Sequence, residues 1–205
     1  MSKTGILFIV SAPSGAGKTS LLRELVPTDE RLVVSVSHAT RAMRPGEHDG
    51  QHYHFVSIDR FEQLVGEGAF LEHARVFDNY YGTSEAAVRE PLAQGLDVVL
   101  EIDWQGAQQV RRRFPQAVSI FIAPPSIEAL RDRLSGRGQD SGETVERRMA
   151  DARSELSHYP EYDYLVINDE FATALAELRC VVAAERLREP RQSARFAEAL
   201  ADMLG

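Results

Sequence analysis

Near the N-terminus the chain runs Gly5-Ile6-Leu7-Phe8-Ile9-Val10-Ser11-Ala12-Pro13-Ser14-Gly15-Ala16-Gly17-Lys18-Thr19-Ser20-Leu21-Leu22-Arg23-Glu24-Leu25. An apolar run of strand length enters a Gly-rich loop, and a helix-forming stretch leaves it. In that setting the loop's backbone N–H groups and the helix N-terminus converge on one point, which attracts polyphosphate. Ala12, Pro13, Ser14, Gly15, Ala16, Gly17, Lys18, Thr19 and Ser20 are therefore expected to hold a nucleoside triphosphate. Lys18 reaches its β/γ end and the Thr19 hydroxyl ligates Mg²⁺. The phosphate-loop pattern asks for Gly at position 12, where this chain has Ala. Gly15 and Gly17 still supply permissive backbone where the chain bends.

Further apolar runs rich in β-branched residues fall at 32–37, 97–102, 117–122 and 164–168, separated mainly by helical patterns. This alternation predicts an α/β fold of the P-loop NTPase type, a parallel sheet flanked by helices. Its ligands lie beyond the carboxyl ends of the strands, where the loop begins. Two intervals exceed a simple helix crossover. In residues 37–83, Pro45-Gly46 reads as a turn, Tyr53-His54-Phe55-Val56 as a short strand, and Asp59 with Glu62 as a helix start, with another helix beginning near Ser84. Residues 125–159 centre on a Gly-rich polar stretch between two Arg-rich helices, a composition suited to a hinged lid. The core is then 1–36, 84–124 and 160–205 of a single domain. In the C-terminal part Ala174, Leu175, Leu178, Val181 and Val182 follow helical spacing and are expected to face that core.

Composition narrows the class. A chain of 205 residues with 43% hydrophobic and 26% charged residues fits a globular enzyme. No apolar run reaches the ~18 residues that would span a bilayer, and the N-terminus lacks an export signal, so the cytoplasm is expected and a membrane is not. Cys180 is the sole cysteine, which excludes an internal disulfide, and its neighbours Val181 and Val182 predict a buried, inert thiol. A net charge of −8 argues against nucleic acid as a partner. His38, His48, His52, His54, His73 and His158 lack the paired spacing of a metal site, and Arg111-Arg112-Arg113 reads as a solvated face. No heptad or exposed apolar stripe stands out, which leaves a homo-oligomer open.

The rest of the chain narrows the function. Ser35-Val36-Ser37-His38-Ala39-Thr40-Arg41, Arg44-Pro45-Gly46-Glu47, Tyr53, Phe70-Leu71-Glu72, Asn79-Tyr80-Tyr81-Gly82-Thr83 and Ile102-Asp103-Trp104-Gln105-Gly106 closely resemble the guanylate kinase family. So do Gly136-Arg137-Gly138 and Val166-Ile167-Asn168-Asp169, and all occur in the family's order. The resemblance implies a kinase making GDP and ADP from GMP and ATP with Mg²⁺, in which 37–83 is the GMP-binding region and 125–159 the lid. It implies that Glu72 and Asp103 accept the guanine N1–H and N2–H₂ donors while Thr83 donates to O6. Carboxylates are natural partners for such donors, and their buried groups stay unpaired if another base enters. Ser37, Arg41, Arg44, Tyr53 and Tyr81 match the clamp on the GMP phosphate, where an Arg fork orients two oxygens.

Lys18, Arg41, Arg137 and Arg148 match the cations that stabilise the transferred phosphoryl group, with Arg133 and Arg147 close enough to assist. The acceptor oxygen of GMP is already anionic, so no obligatory general base is expected. Asn168 matches a contact to the ATP adenine, and Trp104 is expected to pack the site wall. Glu101 stands where relatives usually carry Asp, and its longer side chain is expected to reach Mg²⁺ through a water. Two other readings are a related kinase of another phosphorylated acceptor, such as a ribose bisphosphate, and a non-catalytic guanylate-kinase-like interaction module. The first has no use for Glu72, Thr83 and Asp103 together, and the second usually lacks the intact Lys18 and Thr19.

Overall fold

The computed structural model of the chain describes residues 4–76, 78–135 and 142–205. Its centre is β1 (Leu7–Ser11), all five residues of which are buried. Around it lies a five-stranded sheet in the order β2 (Leu32–Val34), β7 (Asp97–Glu101), β1, β8 (Val118–Ala123), β9 (Tyr164–Ile167), in which every pair is parallel. Strands buried on both faces read as continuous apolar runs, which is why these segments stand out in the sequence. The two-residue period of β1 sorts its side chains into two cores. Phe8 and Val10 pack with Leu21 and Leu22 of α1 (Lys18–Leu25) and with Leu178 and Val182 of α7 (Phe171–Leu187). Leu7 and Ile9 pack with Val88 of α3 (Glu85–Ala93) and Ala107 and Val110 of α4 (Trp104–Arg113). Helices thus cover both faces, as the alternation predicts.

The second strand stops three residues short of the expected 32–37 because Ser35 makes a last bond, N–H to the Val99 carbonyl (3.0 Å), and the chain then leaves the sheet. It enters a second sheet in the order β4 (His54–Phe55), β3 (His38–Ala39), β6 (Asn79–Ser84), β5 (Phe70–Val76). The strands β3, β5 and β6 were not foreseen. The hairpin β5–β6 carries a register shift between Phe70 and Glu72, so that the consecutive residues Leu71 and Glu72 are both buried. In a regular strand they would point to opposite faces, and the bulge re-aims Glu72 inward opposite Thr83. The helix α2 (Ile58–Gly66) is capped two residues before Asp59: the Ser57 hydroxyl accepts the Arg60 N–H, and Asp59 lies in the first turn, where the helix dipole favours it. The helices α5 (Ile127–Ser135) and α6 (Gly142–Leu156) bury Leu130, Leu134, Met149 and Ala152 in a small core of their own.

Several surface expectations are corrected. Cys180 is exposed, because the buried stripe of α7 runs through Ala174, Leu178, Val181 and Val182 and position 180 turns away from it. Arg111 is no solvated charge: it donates to Glu161 (2.8 Å) and lies 4.9 Å over the Tyr162 ring, while Arg113 donates to the Phe70 carbonyl (3.0 Å). Arg112 and Arg113 are nonetheless exposed as expected. An exposed apolar stripe does exist, at Phe196, Leu200, Met203 and Leu204 where α8 (Glu189–Arg195) hands over to α9 (Ala197–Leu204).

The start of the sheet is held by a polar network. Buried Asp97 accepts the Ile6 N–H (2.7 Å) and Arg186 Nε (2.6 Å), and Arg186 also bridges to Asp29. Removing the cation of such a network strands a buried carboxylate. Arg186→Ala is expected to lower the free energy of unfolding by about 3 kcal/mol, read from urea denaturation. A loss under about 1 kcal/mol would show that Asp97 is served by other donors.

Candidate active site

Beyond the carboxyl ends of β1 and β7, and facing the second sheet, lies a cleft of about 290 Å³. One wall is the phosphate loop. Gly15 and Gly17 have φ of +91° and +92°, the left-handed region that favours glycine. A Cβ on Gly17 would also lie 2.4 Å from Asn168 Nδ2, and one on Gly15 would lie 2.9 Å from Leu134 of α5. Ala12 replaces the pattern's glycine without harm because its methyl packs against the core around Phe8 and Val10. Lys18 Nζ donates to the Ile102 carbonyl (3.2 Å), across the cleft floor at the end of β7. Thr19 Oγ1 donates to a Glu101 carboxylate oxygen, so the expected Mg²⁺ ligand and the carboxylate expected to reach the ion through a water are neighbours.

The opposite wall carries the expected base-reading set. Glu72 is 4% exposed, and its Oε1 accepts from Thr83 Oγ1 (2.6 Å), which stands 3.0 Å from Ser37 Oγ. Gly106 makes room for it, since a Cβ there would come within 2.6 Å of Glu72 Oε2. Asp103 caps α4 by accepting the Gly106 N–H with Oδ1 (2.8 Å), while its Oδ2 is buried with no hydrogen-bond partner among the described residues. Burial, and secondarily the charge of Asp103, push the Glu72 carboxyl up to about 7 against the pull of the Thr83 hydroxyl. Thr83 has one proton and gives it to Glu72, so the donation to O6 expected of it requires that bond to be exchanged.

Arg41, Arg44, Tyr53 and Tyr81 line the same cleft. Arg41 is held by Glu47 through paired contacts of 2.6 Å and lies 5.0 Å over the Tyr53 ring. The Arg41 guanidinium in turn holds the Glu47 carboxyl down at about 2, and burial pushes the Tyr53 phenol up to about 12. The sequence motif alone assigns Glu47 no such partner. Its signal was a carboxylate returning to Arg41 across the Pro45-Gly46 turn.

From the lid side, Arg148 Nη2 donates to Ser14 Oγ (2.9 Å) and Glu155 Oε2 accepts the Ser14 N–H (3.0 Å). The Arg148 expectation is thereby placed at the phosphate loop, while Glu155 escaped the sequence reading. Arg137 lies outside the described residues, and Arg147 is exposed. Arg133 serves the loop's support, donating to the Asn168 carbonyl (2.9 Å). Asn168, matched to an adenine contact in the sequence, also supports the phosphate loop. It is 5% exposed, and its Nδ2 donates to the Ala16 carbonyl (2.7 Å), bracing the loop from beneath. Trp104 is not among the residues that line the cleft and stacks instead on His158, with ring centroids 3.7 Å apart and planes 9° from parallel.

Comparison with known proteins agrees with this geometry. A family model described as guanylate kinase matches residues 4–185. A guanylate kinase of Alkalilimnicola ehrlichii is 60% identical over 201 residues, covering 98% of this chain and 99% of that protein. One of Chromohalobacter salexigens is 61% identical over 200 residues, covering 98% and 93%. Among solved structures, the guanylate kinase from Anaplasma phagocytophilum superposes with a TM-score of 0.76 at 34% identity, over 92% of this chain and 89% of that one.

Proposed function

This chain belongs to the guanylate kinase family, and from that premise we infer that it transfers the γ-phosphoryl group of ATP to GMP, giving ADP and GDP. The observation that carries the reading is the buried Glu72 beside the unpartnered Asp103 Oδ2, in the same cleft as Lys18. Two acceptors fixed by Thr83, Gly106 and the bulge match a base edge that presents adjacent N–H donors, which guanine has and adenine lacks. Residues 37–83 form the acceptor region, in which Arg41, Arg44, Tyr53 and Tyr81 clamp the phosphate with Ser37 beside them. Residues 125–159 form the lid, bringing Arg148 and Arg137 to the transferred group. Lys18 draws charge from the β/γ end of ATP as the bond to the leaving oxygen lengthens.

Kinases of this class use a divalent cation with ATP, and Mg²⁺ is the ion proposed here. The fit rests on the donor set: Thr19 Oγ1 and the Glu101 carboxylate are adjacent hard oxygens, and Mg²⁺ typically takes one or two protein oxygens with the rest from phosphate and water. When bound, the ion neutralises developing phosphate charge. The chain's own part is to orient it, through Thr19 at the start of α1 and Glu101 at the end of β7.

A coupled ADP-release assay with GMP, AMP, CMP and dTMP tests this reading. GMP is expected to exceed each other acceptor in kcat/KM by about 10³-fold or more, because a site built around paired donors leaves its polar groups orphaned by the wrong base. Equal turnover with any of the other three would sink it.

A further inference from the structure

Arg148 and Glu155 are seven residues apart on α6, two helical turns, and so share one face of it. Both reach the same residue of the phosphate loop: Arg148 Nη2 donates to Ser14 Oγ at 2.9 Å, and the Ser14 N–H donates to Glu155 Oε2 at 3.0 Å. Between them on that face Ala152 is fully buried and Asp151 Oδ2 is buried without a hydrogen-bond partner among the described residues. Glu155 also lines the cleft that holds Lys18 and Asp103. A carboxylate oxygen on a phosphate-loop amide is chemically a stand-in for a phosphate oxygen, since both are anionic acceptors of a backbone N–H.

We propose that Glu155 is a positioning residue for the triphosphate: it holds the Ser14 N–H from α6 and yields that donor to a phosphate oxygen of ATP, so that nucleotide binds by exchange of one anion for another. The inference rests on the kinase reading above. One amide proton serves one close acceptor well, and a second anion beside it meets repulsion from Glu155 on top of that of Asp103 and Asp151. Lys18 is the cation whose charge acts on the carboxylate, while Arg148 engages the Ser14 hydroxyl. Burial raises the proton affinity of Glu155, with Asp103 and Asp151 adding to the rise and the Ser14 N–H and Lys18 opposing it.

The test is calorimetric titration of the full chain with ATP and Mg²⁺ in the absence of GMP. Glu155→Gln keeps the shape and an acceptor for Ser14 but removes the charge, so its Kd for ATP is expected to fall about five- to tenfold below wild type. Glu155→Asp keeps the charge but ends one methylene short of the amide, and a smaller fall, about two- to threefold, is expected. A further readout is pH: wild-type affinity relative to Glu155→Gln is expected to converge as the medium is made acidic enough to protonate Glu155. A purely structural Glu155 predicts the opposite sign, weaker ATP binding in both variants. Unchanged or weakened binding in both variants overturns the proposal. Failure of the wild-type chain to bind ATP would instead overturn the kinase reading.

Discussion

Lys18→Ala is expected to lower kcat for GMP phosphorylation by about 10³–10⁵-fold, the range seen when a cation on the transferred phosphoryl group is removed. The geometry makes the residue hard to replace. Its ammonium crosses from the first turn of α1 to the Ile102 carbonyl at the end of β7, placing one positive charge on the floor between the phosphate loop and the acceptor wall. Phosphoryl transfer needs little covalent help and much charge stabilisation, so loss of a preorganised cation falls on the transition state rather than on ground-state binding. Steady-state ADP release at saturating ATP and GMP reads the effect, and GMP affinity measured by titration is expected to survive. Activity within tenfold of wild type would remove Lys18 from the catalytic set.

Glu72→Gln is expected to lower kcat/KM for GMP by about 10²–10³-fold while ATP affinity changes little. An amide in that place offers one acceptor and one donor group to a base edge made of donors. The same substitution is expected to stabilise the protein. With the Glu72 carboxyl near 7 in the fold against 4.5 as a free side chain, the neutral form is favoured by folding. The ionised form therefore lowers stability, fully above about pH 7, and this effect fades as the pH falls toward 4.5. Urea unfolding at pH 8 is expected to show the Gln variant more stable by about 1–3 kcal/mol, with the advantage gone near pH 4. In wild type, GMP affinity is expected to weaken as the pH drops below about 7, and the Gln variant lacks that component, which separates it from titration of the GMP phosphate. An unchanged preference for GMP over AMP would refute the assignment of Glu72.

How much of this was legible depended on whether one segment carried its own signal. The central strands announce themselves because both faces are buried, as in Leu7–Ser11 and Val118–Ala123. The hairpin of Phe70–Val76 and Asn79–Ser84 did not, since its residues mix exposed charge with burial and the decisive bulge at Leu71–Glu72 breaks the period that would reveal a strand. Site residues within motifs were readable as types: Lys18, Glu72, Asp103 and Arg148 all reach the cleft or its loop. Their partnerships were not. Glu47 on Arg41, Glu155 on Ser14 and Asn168 beneath Ala16 join residues that only the folded chain brings together. Cys180 shows the limit of reading neighbours, because in a helix Val181 and Val182 lie on another face from position 180.

The stack of Trp104 on His158 joins the first turn of the helix that Asp103 caps to a residue two positions beyond the end of α6. Trp104 is the only tryptophan in the chain. Excitation at the red edge of the indole band, beyond the absorption of the six tyrosines, therefore reports on one residue, which lies in van der Waals contact with an imidazole ring. Any relative movement of those two segments during turnover changes that contact, and its time course can be followed optically in the unlabelled protein.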